Sequence, residues 1–490
     1  MKKKSLLYIL ITVVIISCKY EKVEPDYVGL SNFPPEVGKI LVTKCATPSC
    51  HSSESRDVAG GLDFSSWENL FDGGRNGSSV IPFADVYSYL LYSINTDSAR
   101  GPMLTPTMPY QEAPLSEVEY NLLTDWIRNG ARDKNGVVKF SDNPIRSKIY
   151  ICMQSCDKVY VLDAKSKVIM RVVSVGNKPN ITEAPHLVRV SPDGLYWYVV
   201  FYSGDIIQKF RTSDDQLVAE ASIGQGDWNT VIFSPDGRKG YVNGTGLQTT
   251  AVVDLETMTF ERNLTMDFPH GGFVTPDGHY LYLTSQNGNF INKIDLSSGT
   301  YDTDPVVLVP GQQQTTSSSY DPHEMILSPD RSKYFVSCQK SNEVRVFQLS
   351  NDSLLAVINV GTKPQEFAVA TQEPYLFVTC TEEAIDQFRK GKVYVINYNT
   401  LTVVTSIYAG YQPHGIDVNN EEGLAYVANL NYDQNGPAPH HSSVCSGRNG
   451  YLTMIDIHSL QLYRRTLSNG TQYQYRCELL PFPYFVSYKR

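Results

Sequence analysis

No hydrophobic stretch of this 490-residue chain is long enough to cross a bilayer as a helix: the longest, Leu6–Ile16, falls well short of the about 20 residues a span requires. A polytopic helical membrane protein is therefore excluded. Charged residues make up only 19% of the chain and the net charge is −9, which argues against a nucleic-acid backbone as partner. There is no glycine-rich phosphate loop, no Ser/His/Asp set in a recognisable order and no basic stripe interleaved with aromatics, so nucleotide, hydrolase and nucleic-acid functions lack support. Tryptophan is scarce, 4 residues against 32 Tyr, 34 Gly and 27 Pro. That balance favours strands and turns over long helices. Nine cysteines are an odd number, so in an exported protein at least one does something other than pair.

The N-terminus sets the compartment. Lys2, Lys3 and Lys4 precede the apolar run, which has the length of a signal-peptide core. It ends in Ile15-Ile16-Ser17-Cys18. This resembles a bacterial lipobox, which implies cleavage of residues 1–17, acylation of Cys18, and a lipoprotein facing the periplasm or the cell surface. Because three lysines leave with the signal, acyl chains rather than attraction to anionic headgroups would hold the mature protein at a membrane. Residues 18–36 are charged, contain proline and show no apolar period, and read as a tether.

Next comes Cys45-Ala-Thr-Pro-Ser-Cys50-His51. Two thiols close in sequence and followed directly by His fit c-type haem, in which the thiols add to the vinyl groups and the imidazole takes one axial position on iron. A disulfide, or a zinc pair with a neighbouring His, fits the same residues. Downstream, Gly60-Gly61-Leu62-Asp63 leads to Ser65-Ser66 capping a short helix, Tyr87–Tyr92 has helical apolar spacing, and Met108-Pro109 follows. Leu115-Ser116-Glu117-Val118-Glu119 then opens a capped helix with Leu122, Leu123, Trp126 and Ile127 on one face. In this order the motifs resemble a family of small all-α cytochrome c domains of exported bacterial proteins, over residues 37–135. The resemblance implies covalent haem c on Cys45 and Cys50, with His51 and Met108 as iron ligands and Met103 as competitor for the second position. Residues 136–145 read as a linker.

From residue 146 to 490 one pattern repeats. A turn appears as Ser191-Pro192-Asp193-Gly194, Ser234-Pro235-Asp236-Gly237, Thr275-Pro276-Asp277-Gly278 and Ser328-Pro329-Asp330-Arg331. Seven third-strand copies begin at Val159, Ile206, Ala251, Ile291, Val344, Val393 and Leu452. Units of about 45 residues with four short strands predict an all-β seven-bladed propeller. The wording resembles YVTN-family propellers. The first unit lacks its innermost strand, and Leu480–Tyr488 is the candidate that closes the ring.

Aligning the units places His186, Asn229, His270, His323, Gln365, His414 and, by analogy, Tyr484 at the start of each innermost strand. The resemblance puts these starts near the mouth of the central channel. An insertion from Asn429 to Gly450 adds His440, His441 and Cys445 at the same rim. Neutral imidazoles in such a ring suit a second metal, copper, zinc or iron; binding of a small ligand and a purely structural role are the other readings. Of the six remaining cysteines, Cys445 and Cys477 are the expected disulfide, pinning the insertion to the C-terminal segment. Cys338 and Cys380 fit buried thiols, and Cys152 and Cys156 could pair. The acid pairs Asp214-Asp215 and Glu421-Glu422 lie in turns and are expected to be solvated. Together these features point to an exported haem c lipoprotein for electron transfer to or from a redox partner protein or small molecule. A non-enzymatic surface-binding or scaffold propeller with an auxiliary haem is the alternative.

Overall fold

The computed structural model describes residues 27–382, 390–432, 444–466, 470 and 472–489. Residues 148–489 form a seven-bladed β-propeller, with six blades built from consecutive antiparallel strands running from the channel outward. The blade that closes the ring takes three strands from the start of the repeat region, Lys148–Met153, Lys158–Asp163 and Ile169–Ser174, and its innermost strand, Pro483–Lys489, from the C-terminus. Its register sets Lys148 opposite Lys489 and Ile151 opposite Val486. The sequence-based closing strand Leu480–Tyr488 thus divides: Cys477–Pro481 pairs with Asn449–Asp456 in the last blade, and only the portion from Pro483 closes the ring.

The recurrent turn has a direct hydrogen-bond explanation. In each copy the Ser or Thr hydroxyl donates to the Asp two residues on, at 2.5 Å for Ser191 to Asp193 and 2.6 Å for Thr275 to Asp277. The same hydroxyl accepts from the N–H that starts the next strand, as Tyr196 to Ser191 at 3.0 Å and Lys239 to Ser234 at 2.9 Å. The fourth turn residue has positive φ, 72° at Gly194 and 76° at Gly278, which glycine adopts without steric cost. Arg331 occupies that position at 57° in the fourth copy. The Asp that ends many third strands accepts from backbone N–H groups just beyond it, as Ser166 to Asp163 at 2.7 Å and Ser459 to Asp456 at 2.7 Å.

Upstream, residues 27–145 carry short helices, of which Glu117–Arg128 is the longest; its N-terminus has the expected capping box between Ser116 and Glu119. No separate all-α domain is evident. One hydrophobic core runs from Phe33, Leu41, Cys45 and Trp67 through Leu123 and Ile127 into strand residues of the first three blades. Folded structure begins before Val37: Phe33 is 2% exposed and meets Trp126 edge-on, ring centroids 6.0 Å apart. Phe140, in the expected linker, is likewise buried against Phe71. The segment docks on the seam where the ring closes. Ser78 donates to the Ile169 carbonyl at 3.1 Å, Glu478 N–H to the Asn76 carbonyl at 3.0 Å, and Asn449 to Tyr89 Oη at 3.4 Å. Among the described residues, no helix is long and apolar enough to cross a membrane.

Of the two acid pairs, Asp214, Glu421 and Glu422 are exposed as expected, and Asp215 departs from expectation. Asp215 is buried, accepting from Lys148 Nζ at 2.7 Å, Tyr150 Oη at 2.9 Å and Trp197 Nε1 at 3.3 Å. It joins the first blade, through Lys148 and Tyr150, to Trp197 of the second. Glu422 pairs with Lys167 at 3.0 Å.

Candidate functional site

The innermost strands bring four of the predicted histidines together inside the channel. His270 stacks on His323 with ring centroids 4.0 Å apart, His323 meets His414 edge-on at 6.2 Å, and Tyr484 lies 4.0 Å from His414 and 4.2 Å from His186. All four imidazoles are buried. Burial, reinforced at His186, His270 and His414 by the other imidazoles, holds their pKa values below the ordinary range, to about 4 at His323. They are therefore neutral at neutral pH. His270 Nδ1 donates to the His323 carbonyl at 3.1 Å and His414 Nδ1 to the Tyr484 carbonyl at 3.2 Å. Asn229 and Gln365 turn to neighbours instead, Asn229 donating to Thr245 at 2.6 Å and Gln365 accepting from Gln339 at 3.3 Å.

Sequence comparison of the units missed the acids beside these histidines. Glu324 and Glu366 directly follow His323 and Gln365, where the other units carry Leu187, Thr230, Gly271, Gly415 and Phe485. Both carboxyls are buried. Burial raises the pKa of Glu366 to about 7 and, with the Glu366 charge, raises that of Glu324 further; the Arg189 charge opposes both shifts. Glu324 is therefore the more weakly acidic of the two, and its Oε1 accepts from the Met325 N–H at 2.8 Å. Asp417, one strand away, is raised to about 6 by burial, although the N–H groups of Tyr488 and Val418 donate to it at 2.7 and 2.8 Å. An acid following a ring position was the available signal, and it stands out once the units are aligned.

The channel mouth opens into a cavity of about 470 Å³ lined by Gln154, Ser155, Ala184, His186, Tyr202, Phe482 and Tyr484. Gln154 Nε2 lies 3.0 Å from His186 Nδ1. The expected Cys445–Cys477 disulfide is not formed: Cys445 bonds to Cys156, beside Ser155 at the rim, and Cys477 is a buried thiol against Gly77. The insertion is thereby pinned to the first blade instead of the C-terminal segment. The reason is spatial, since ring closure brings the loop after Lys148–Met153 next to the last blade. Cys152, Cys338 and Cys380 are buried thiols outside any disulfide. His440 and His441 lie outside the described residues, as does Cys18.

In the N-terminal segment, Cys45 ends a helical turn and the chain doubles back, His51 N–H donating to the Cys45 carbonyl at 3.0 Å. Cys45 and Cys50 are in no disulfide among the described residues. Burial, with the Cys50 charge nearby, pushes the Cys45 thiol up to about 12. His51 packs on Phe64 at 5.0 Å, and its buried Nδ1 has no hydrogen-bond partner. Burial lowers its pKa against opposing contributions from the backbone at Ala59 and Leu62 and from Asp63. Asp63 itself organises the following loop, accepting from Ser53 at 2.7 Å, Ser65 N–H at 2.9 Å and Asn69 at 3.0 Å. Met108 packs on the core that contains Cys45, whereas Met103 is 45% exposed.

No protein-family model matches the sequence. Antigen Lp49 of Leptospira interrogans serogroup Icterohaemorrhagiae serovar copenhageni is 24% identical over 214 residues, which is 42% of this chain and 46% of that protein. The match thus spans less than half of that relative's length. Among solved structures, a candidate 6-phosphogluconolactonase from Bacteroides uniformis is 12% identical, with 70% of this chain and 99% of that chain covered and a TM-score of 0.53. A second, from Bacteroides fragilis, is also 12% identical, with 72% and 99% covered and a TM-score of 0.52. At this identity the likeness shows the propeller fold alone.

Proposed function

We propose that the chain is an exported, lipid-anchored haem c protein that passes single electrons between a redox partner and a site on its propeller. The observation that carries this reading is His51, a half-buried imidazole whose buried Nδ1 has no hydrogen-bond partner, placed directly after two cysteines that form no disulfide. Cys45 and Cys50 would hold the group through thioethers, and His51 and Met108 would supply nitrogen and thioether ligands. Bound there, haem supplies one-electron chemistry, and a thioether ligand raises its potential. The chain's own part is to fix those side chains and exclude water. The hydrogen bonds converging on Asp63 hold the loop after His51, and the shared core buries Cys45 and packs against the half-buried Met108. Cys18 would anchor the chain in a membrane.

The test is an optical spectrum of the full chain exported with the cytochrome c maturation machinery. The expected result is one covalent haem per chain, lost in Cys50→Ala, with a lowered potential in Met108→Leu and an unchanged one in Met103→Leu. Exported protein without covalent haem would overturn the reading.

A further inference from the structure

We propose that His323, Glu366 and His414 form a binding site for one divalent first-row metal ion, zinc or iron(II), inside the propeller channel. The site stands on its own residues and does not depend on the haem reading. One ligand atom from each of these three buried side chains can be chosen so that all lie within 4.8 Å of one another. His323 Nε2 is 3.6 Å from Glu366 Oε1. That gap is too long for a hydrogen bond, and it is near the separation of two ligand atoms that each sit about 2.0–2.2 Å from a shared metal. His323 Nε2 is also buried without any hydrogen-bond partner. An orphaned polar atom in a well-packed channel calls for a partner that the protein chain does not supply.

The surroundings complete the pattern of a metal centre. Metal-bound imidazoles usually donate their other N–H to a carbonyl or amide, which fixes the ring and the tautomer. His414 Nδ1 donates to the Tyr484 carbonyl at 3.2 Å, leaving Nε2 as a lone pair. The Gln286 side-chain amide lies 2.7 Å from His323 Nδ1, and its oxygen can take that proton by a half-turn of the amide. Two imidazoles and one carboxylate form the set found in catalytic zinc and non-haem iron sites, which leave positions open for water or substrate. The mouth cavity reaches His186 and Tyr484, and Tyr484 packs on His414, so such a position would be approached from the mouth.

The experiment uses the full exported chain, stripped with a chelator and titrated with Zn(II), with haem counted separately by its pyridine spectrum so that loss of haem leaves the zinc result readable. One zinc per chain is expected for wild type and for His186→Ala, with at least tenfold weaker binding in Glu366→Gln and His414→Ala. A chelator-reversible rise in the wild-type unfolding midpoint on adding zinc is also expected; it requires no variant to fold. Co(II) at the same stoichiometry should give the absorption bands of low-symmetry coordination. Either wild-type uptake below one-tenth of an equivalent or Glu366→Gln binding as tightly as wild type would overturn the site. The metal the protein carries from its host, zinc or iron, assigns the ion.

Discussion

Tyr484 and His414 are linked twice across the closure of the ring: their rings lie 4.0 Å apart, and the Tyr484 carbonyl accepts from His414 Nδ1 at 3.2 Å. The C-terminal strand therefore completes the first blade and also sets the tautomer and orientation of a channel histidine. Ring closure and channel geometry are one construction.

Replacing Tyr484 with Ala removes the aromatic wedge between His414 and His186. Truncation of a packed aromatic costs about 3–5 kcal/mol, and the partial exposure of Tyr484 puts the expected loss at the lower end of that range. Tyr484→Phe keeps the ring and should cost less than about 1 kcal/mol. Urea midpoints of the two variants measure the difference. Equal losses would show that the ring stack contributes nothing.

The Cys156–Cys445 bond spans 289 residues of sequence. Peptide mapping without reduction should find that pair linked, with Cys477 alkylated only after unfolding because it is fully buried. Cys156→Ser should lower stability by about 2–4 kcal/mol. A linked Cys445–Cys477 peptide would contradict the structure.

The propeller was legible because its cues are local: the Ser-Pro-Asp-Gly turn and the third-strand Asp each encode hydrogen bonds within a few residues. The histidine ring was legible for the same reason, one residue per repeat at a fixed offset. The disulfide was not. Its partner choice depends on the closed ring, which brings residue 156 to residue 445. Nor was the burial of Asp215, since a turn aspartate looks solvated until Lys148, Tyr150 and Trp197 from neighbouring strands converge on it. The shared core between residues 27–145 and the first three blades was hidden for a similar reason. Phe33 and Phe140 sit in polar, loop-like sequence, and only the docked surface shows what they cover.

Asp417 gives a pH dependence of definite sign. Its carboxyl is raised from 3.8 to about 6, chiefly by burial, so between those values the folded state holds a proton that the unfolded chain has released. Stability then falls as pH rises from about 4 to 6 and levels off above, and the charged form costs about 3 kcal/mol at neutral pH. Asp417→Asn should remove this part of the slope and be the more stable protein at pH 7. Parallel stability curves for the two proteins between pH 4 and 7 would refute the assignment.

The buried pair Lys148–Asp215 separates two accounts of an interior charge. If its attraction and hydrogen bonds outweigh desolvation, a matched apolar replacement must lose stability; if desolvation dominates, the replacement is neutral or better. Removing one partner alone leaves the other charge buried, with Asp215→Ala also stranding the Tyr150 hydroxyl and the Trp197 N–H. That single change should cost about 3–5 kcal/mol. Lys148→Met with Asp215→Leu should cost clearly less than Asp215→Ala, because no unpaired charge remains. The residual cost reports the two aromatic donors, since they still lack an acceptor, at about 1–3 kcal/mol each. A double variant as unstable as the sum of its singles would mean that the two residues are not coupled, and would overturn the account of Lys148 and Asp215 as a buried pair. Denaturant unfolding of wild type, Lys148→Met, Asp215→Leu and the double variant closes the cycle and gives the coupling directly.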